Sequence, residues 1–172
     1  MHPESVLEPI LKWPRTSRIA FLDSMSDVFH ARVPAEVLGW IFATMVLTPQ
    51  HTYQVLTKRP KRMRDLLTDR WVQGAMQDAL LDIQSHGPSL PDWAIRLLFA
   101  RTAQCPWPLP NVWLGTSIES DEYCWRADAL REPPAAVRFL SLEPLLGPLP
   151  SLDWTGIDWV IVGGQSGHVV GR

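Results

Sequence analysis

Cysteine is scarce in this chain of 172 residues: only Cys105 and Cys124 occur, without CxxC spacing. Neither a disulfide framework nor a zinc knuckle is therefore encoded. The five histidines are scattered and show no HxH or HExxH spacing. Asp23, Asp27 and His30 would be the nearest approach to a metal set, but their spacing matches no known metal motif, and we expect no metal site.

Long apolar runs and an excess of charge of one sign are also missing. No stretch approaches the roughly eighteen apolar residues of a membrane span, and residues 1–4 lack the charged and apolar regions of a signal peptide. We therefore expect a cytoplasmic protein with no membrane partner. The 16 Lys and Arg residues nearly balance 18 Asp and Glu residues, for a formal net charge of -2, which excludes a general nucleic-acid-binding surface.

Tryptophan and proline, by contrast, are abundant, with 9 and 16 residues. Many prolines flank apolar runs and mark the ends of elements. Because basic clusters are not interleaved with them, the tryptophan rings are assigned to core or rim packing instead of base stacking. Cys124 beside Trp125 is interpreted as a packed thiol, and Ser24, Ser117 and Ser141 lack a nucleophile elbow.

Five short apolar runs predict β-strands, and stretches with helical periodicity separate them. The strands are expected at 18–24, 52–57, 112–118, 137–142 and 159–162. Pro34 and Pro60 are expected in the first turns of two helices, and a third helix is expected over 121–131 behind a Ser120 cap.

This alternation of strand and helix predicts the α/β class, with parallel strands joined by helical crossovers. Residues 70–108 break the rhythm with two further helical patterns, which we interpret as a helical insertion on the rim. The prediction is a single domain over residues 1–172, a partial (β/α) barrel with about five parallel strands.

Polar residues gather where the predicted strands end, which is where parallel α/β folds bind ligands. They are Asp23, Ser24, Asp27, Thr57, Lys58, Arg59, Thr116, Ser117, Glu119, Ser141, Glu143, Gly163, Gly164, Gln165 and Ser166. Carboxylates here suit an amine, ribose hydroxyls or a metal, and Lys58 and Arg59 suit a carboxylate or phosphate. The glycines allow close approach of backbone N–H groups. The alternative is that these side chains cap helices and pair with one another across the rim.

The strand ends carry a series of blocks that resembles a known family. The blocks are SMSDVFH at 24–30, QVLTKRP at 54–60, LPNVWLGTSIES at 109–120, RFLSLEPLLGPL at 138–149 and IDWVIVGGQSG at 157–167. In order and content they resemble the phage-associated "gene product 37 / gene product 68" family, which looks related to radical S-adenosylmethionine enzymes. The resemblance covers nearly the whole chain outside the insertion.

The resemblance implies S-adenosylmethionine and an iron–sulfur cluster at the mouth of the barrel, where the cofactor supplies radical chemistry. It places the Ser24 to Asp27 segment against the methionine part of the ligand. Glu119, Glu143 and Ser117 fall where ribose and amino groups are held, and Gly163 and Gly164 fall at the adenine end.

The chain also departs from the family pattern, because the three closely spaced cysteines that ligate the cluster are missing, and Cys105 and Cys124 do not replace them. Gln165 stands where the family has Glu. We therefore expect a chain truncated at both ends, which carries no cofactor by itself and self-associates through an exposed sheet edge.

Three hypotheses for the function follow from the sequence. The first is a truncated radical-S-adenosylmethionine-like protein that performs no radical chemistry alone. The second is a non-catalytic module that binds a nucleotide-like ligand or serves in assembly. The third is a cluster-independent hydrolase or transferase that uses Glu119, Glu143 and Lys58. The substrate is unknown, and no residue is assigned a catalytic role.

Overall fold

The computed structural model describes residues 16–22, 26–86 and 90–164. Within these ranges the strands are β1 (Ile19–Leu22), β2 (Thr52–Thr57), β3 (Val112–Ser117), β4 (Val137–Leu142) and β5 (Trp159–Val162). The helices are α1 (Ala35–Leu47), α2 (Pro60–Thr68), α3 (Trp71–His86), α4 (Asp92–Ala103) and α5 (Trp125–Arg131), and a short 3₁₀ helix at Asp121–Tyr123 precedes α5.

The strands form one parallel sheet in chain order, from β1 at one side to β5 at the other. Parallel neighbours need a crossover that leads the chain back to the same end of the sheet. Helices supply the first three crossovers, whereas the connection from β4 to β5 contains no helix. The predicted α/β partial barrel with parallel strands is therefore confirmed.

The sheet is curled, so that one face is concave. Phe21 of β1 and Phe139 of β4 have ring centroids 6.3 Å apart, although β2 and β3 lie between their strands. In a flat sheet the two strands would be about 14 Å apart. The Phe139 ring also lies over Gly115, where an added Cβ would be 2.4 Å from the ring. Glycine at this position therefore lets the aromatic ring pack flat against β3.

The convex face packs against the helices and forms the core. Strand residues of this face include Tyr53, Val55, Leu114 and Leu140, all of which are buried. They share one cluster with the apolar faces of α1, α2, α3 and α5, including Leu38, Phe42, Met45, Met63, Leu67, Val72, Met76, Leu80, Ala127 and Leu130. The near-continuous apolar character of the strands reflects this burial.

The two helices of the predicted insertion are present as α3 and α4, but α3 does not stand on the rim. It lies against α1 so closely that a Cβ on Gly39 would be 2.4 Å from the carbonyl oxygen of Ala75. Val72, Met76 and Leu80 of α3 are buried in the common core. The rim placement was therefore wrong, because the apolar stripe of α3 covers α1 in the outer helical layer.

Element boundaries differ from the sequence prediction in a few places. β1 ends at Leu22, and the predicted end of that strand at Asp23 and Ser24 lies outside the described residues. Ser120 stands at the N-cap position of the 3₁₀ helix, but its side chain makes no capping hydrogen bond, and α5 begins only at Trp125. None of the helices in the described ranges has the length and apolar character that crossing a membrane requires.

Candidate functional site

A cavity of about 590 Å³ opens at the carboxyl ends of the strands, and we call it the mouth. Its lining residues are Phe21, Ser26, Asp27, His30, Leu56, Thr57, Lys58, Arg59, Ser117, Ser141 and Glu143. The structure thus brings together seven of the predicted strand-end residues, namely Asp27, Thr57, Lys58, Arg59, Ser117, Ser141 and Glu143. The parallel arrangement explains this, because β1 to β4 all end at the same edge of the sheet.

Asp27 ties the loop after β1 to the end of β2. Its Oδ1 accepts hydrogen bonds from the Phe29 amide at 3.0 Å and the Thr57 hydroxyl at 2.8 Å. Its Oδ2 accepts from the Lys58 amide at 3.3 Å and from the Arg59 guanidinium at 2.8 Å. Both carboxylate oxygens are therefore engaged, and Asp27 shapes the mouth more than it offers free acceptors to a ligand.

Glu119 lies just behind the mouth lining, between two cations. Lys58 Nζ pairs with its Oε1, and Arg126 Nη1 lies 3.1 Å from its Oε2. The same Arg126 nitrogen donates to the Ser117 carbonyl at 2.8 Å, and the guanidinium lies 4.1 Å from the ring centroid of Tyr123. Burial acts to raise the pKa of Glu119, but the hydrogen bond from Lys58 and the charges of Lys58 and Arg126 outweigh it and lower that pKa. Glu119 is therefore held as a carboxylate.

Ser117 and Ser141 face each other in register at the ends of β3 and β4. Both line the mouth, and they are only 3% and 5% exposed. Their backbone carbonyls accept hydrogen bonds from Arg126 and from the Ile118 amide. Neither hydroxyl, however, is hydrogen-bonded to another of the described residues. Buried hydroxyls normally have a partner, so this pair is available to a molecule in the mouth.

Glu143 is the exposed carboxylate of the mouth. It leans against Gly163, where an added Cβ would lie 2.6 Å from a carboxylate oxygen. Gly163 is fixed by backbone hydrogen bonds, donating to Leu142 at 3.2 Å and accepting from Leu145 at 2.9 Å. Gly163 therefore makes room for Glu143. Gly164 is exposed, and an added Cβ there would meet nothing within 4 Å.

Several predicted site residues lie outside the described residues, namely Asp23, Ser24, Gln165 and Ser166. Asp23, Asp27 and His30 were considered as a metal set from the sequence, and of these only Asp27 and His30 are among the described residues. In that set, Asp27 is engaged as above, and His30 Nδ1 accepts a hydrogen bond from the Arg32 amide at 3.1 Å. Across the described ranges, no group of three His, Cys, Asp or Glu side chains is placed to hold a metal ion.

The cysteines do not fit an iron–sulfur cluster at the mouth, because neither contributes to its lining. Cluster ligands are thiolates, and the surroundings of both thiols oppose that form. Burial, followed by the hydrogen bond and charge of Asp121, raises the pKa of Cys124 to about 11. Burial also raises the pKa of Cys105. Cys124 is consistent with the packed thiol that the sequence indicates.

A comparison with protein families adds to this geometry. One family model, described as "Protein of unknown function (DUF5131)", matches residues 1–171. The chain belongs to the DUF5131 family. No curated protein and no solved structure matches the chain. The family description names no ligand or reaction, so the mouth of this DUF5131 protein is interpreted from its own side chains.

Sequence reasoning missed two features of the DUF5131 mouth. Arg126, which holds Glu119 and the end of β3, was not singled out, although it follows Glu119 by seven residues across a short turn. Phe21 and Leu56 form part of the lining, but they were treated only as strand residues. Every second residue of a strand faces the same side of the sheet. Phe21 and Leu56 follow Ala20 and Val55 in their strands, so this alternation could have predicted that they face the side opposite to those residues.

Proposed function

We propose that this chain is a cytoplasmic, phage-associated protein related to radical S-adenosylmethionine enzymes, and that its mouth binds a nucleotide-like ligand, S-adenosylmethionine in the first instance. The Ser117 and Ser141 hydroxyls carry the proposal, because they are buried in the lining and have no partner among the described residues. The mouth volume of about 590 Å³ also falls within the range of small-molecule sites, roughly 300–1,000 Å³.

The charges around the mouth suit a zwitterionic ligand. Lys58 and Arg59 are exposed and line one side. Each pairs with one carboxylate of the chain, Glu119 or Asp27, and their remaining N–H groups can receive the carboxylate of a ligand. Glu143 lines the other side and can receive an amino or sulfonium group. Ser117 and Ser141 lie between them on the floor and can bond ribose hydroxyls. Gly163 leaves the space that Glu143 occupies.

The proposal concerns ligand binding and assigns no reaction to this chain. The cysteines do not fit a cluster, and we derive no radical step from the described residues. The non-catalytic ligand-binding module is therefore the form of the proposal that we favour. A hydrolase or transferase using Glu119, Glu143 and Lys58 is less well supported, since Lys58 and Glu119 are paired with each other and the lowered pKa of Glu119 makes it a poor proton carrier at neutral pH.

Calorimetric titration with S-adenosylmethionine tests the proposal. We expect one binding site, weakened about tenfold when Ser117→Ala and Ser141→Ala are combined, because two hydrogen bonds are lost. Ser85→Ala is the matched control, since Ser85 is exposed on α3 and bonds only to the Leu81 carbonyl at 3.0 Å. Absence of binding, or equal affinity in the double variant, would contradict the proposal. Anaerobic iron reconstitution of the same chain should give no cluster absorbance.

Self-association through a sheet edge is a separate proposal. Among the described strands, β1 pairs only with β2 and β5 only with β4, and Ile19 of β1 is 67% exposed. Exposed strand edges favour pairing between chains. Sedimentation at increasing concentration should show dimers that Ile19→Lys removes and that Leu81→Lys, on the exposed side of α3, does not. A wild-type chain that stays monomeric throughout would exclude this proposal.

A further inference from the structure

The concave face of the sheet changes character along the strands. Register places Phe21, Gln54 and Trp113 side by side in one row. The next row toward the mouth contains Leu56, Gly115, Phe139 and Trp159. Ser117 and Ser141 then form the row at the mouth. Val137 of β4 continues the first row beside Trp113, and Ile161 of β5 continues the mouth row beside Ser141. The two lower rows are therefore apolar and largely aromatic, and Gln54 is the single polar residue among their eight.

Gln54 is an unexplained polar group in this aromatic surface. It is only 9% exposed, and it lies between Phe21 and Trp113 on the neighbouring strands. None of the described residues makes a hydrogen bond with its side-chain amide. An amide has two donor hydrogens and an acceptor oxygen, and the polar atoms of Gln54 are not among the fully buried side-chain atoms that lack a partner, so they can be reached from the concave face. A partner that reaches the concave face would satisfy it.

Trp113 is the neighbour of Gln54 on β3, and the Trp159 ring of β5 lies against Trp113. Trp113 and Trp159 have ring centroids 6.2 Å apart and planes inclined by 53°. Trp159 is 53% exposed, so core packing does not explain the placement of its ring. An inclined, partly exposed pair of this kind presents an aromatic face onto which another planar ring can stack. The surface thus combines stacking faces with one donor and acceptor pair.

We propose that the lower concave face, formed by Gln54, Trp113 and Trp159, binds a nucleobase that stacks on the indole rings and pairs its hydrogen-bonding edge with the Gln54 amide. Amide side chains read adjacent donors and acceptors on a base edge in this way, and base stacking on aromatic side chains is tolerant of sequence. The near-neutral charge of the chain favours an isolated nucleobase or nucleoside over a long nucleic acid, since no general phosphate-binding surface accompanies the site.

Gln54, Trp113 and Trp159 do not line the mouth, although their neighbours Phe21 and Leu56 do. Gln54 precedes Leu56 in the mouth lining by two residues, or about 7 Å along the strand, and the contact between Phe21 and Phe139 lies on the same face. The inference therefore does not depend on S-adenosylmethionine binding. If both proposals hold, the two ligands lie next to each other on one concave face.

Calorimetry with adenosine, guanosine, cytidine and uridine tests the inference on the whole chain. We expect at least one nucleoside to bind at a single site. Gln54→Leu, which keeps the side-chain size but removes the donors and acceptor, should weaken binding about threefold to tenfold. Trp159→Ala should weaken it by at least about fivefold, because stacking is lost. Trp154→Ala is the control, since Trp154 is also half exposed but lies outside this face.

Other outcomes separate the two proposals and would overturn this one. The combined Ser117→Ala and Ser141→Ala variant should bind nucleosides as the wild type does, whereas Gln54→Leu should leave S-adenosylmethionine affinity unchanged. Absence of binding for all four nucleosides, or equal binding by wild type and both Gln54→Leu and Trp159→Ala, overturns the nucleobase site. Concentration-dependent dimers that Trp159→Ala abolishes, without nucleoside binding, would instead show that a second copy covers this face. Circular dichroism and thermal unfolding of each variant verify that it folds.

Discussion

The neighbours of Glu119 determine the charge state of its side chain. Because its pKa is lowered in the folded chain by Lys58 and Arg126, the carboxylate stabilises the fold above the ordinary glutamate pKa, and this contribution is lost as the pH falls through the folded-state value. We expect Glu119→Gln to reduce the free energy of unfolding at neutral pH by about 1–3 kcal/mol, because the buried Arg126 loses its counter-charge. Urea unfolding at neutral pH measures this difference.

The pH dependence distinguishes this explanation from a simple packing defect. The loss caused by Glu119→Gln should shrink as the pH falls below about 4.5, the ordinary pKa, because the unfolded wild-type chain then gains a proton at Glu119. The loss should disappear once the pH is also below the lowered folded-state pKa. Glu132→Gln is the control. Glu132 pairs with Arg64 at 3.3 Å, with 56% of its side chain exposed, and exposed pairs contribute at most about 1 kcal/mol. A Glu119→Gln deficit that is constant with pH would contradict the electrostatic account.

At the scale of the elements, Asp27 joins the β1–α1 loop to the start of α2. Its carboxylate accepts four hydrogen bonds. Two of them come from the Lys58 amide and the Arg59 guanidinium, immediately before Pro60, the first residue of α2. Asp27→Asn replaces one carboxylate oxygen by an NH₂ group. This group is itself a donor, so it cannot accept the hydrogen bonds of the donors that it faces. We expect the free energy of unfolding to fall by about 1–3 kcal/mol, measured by urea denaturation.

Asp65→Asn provides the matched control for this prediction. Asp65 lies on α2 and pairs only with its neighbour Arg64, at 2.8 Å, with 59% of its side chain exposed. Its substitution should change stability by less than about 1 kcal/mol. Equal effects of the two substitutions would show that Asp27 does not tie the elements together.

The elements were easier to predict than their contacts. β2, β4 and β5 begin and end where their apolar runs do, because short apolar runs rich in β-branched and aromatic residues indicate strands. The meeting of Asp27, Lys58 and Glu143 at one mouth follows from parallel topology alone. The pairing of Glu119 with Arg126 could not be predicted, because it depends on the 3₁₀ helix that replaces the first turn of the expected helix.

At the scale of the whole molecule, the position of α3 determines whether the chain has one hydrophobic core or two. From the sequence, residues 70–108 were interpreted as a helical insertion on the rim of a partial barrel. The structure places Val72, Met76 and Leu80 in the same buried cluster as Val55 and Leu114 of the sheet. One continuous core predicts one cooperative unfolding transition, and damage to α3 should therefore destabilise the sheet as well.

Leu80→Ala tests this directly, since Leu80 is fully buried and its neighbour Leu81 is 46% exposed on the same helix. Removing the buried side chain leaves a cavity in the shared core, and we expect a loss of about 2–5 kcal/mol. Leu81→Ala removes the same atoms at the surface and should change stability by about 0.5 kcal/mol or less. Urea unfolding followed by far-UV circular dichroism and by tryptophan fluorescence should give coincident curves, both shifted by Leu80→Ala. If Leu80→Ala instead splits the curves, with the transition of the sheet unmoved, α3 is a separate unit and the single core is excluded.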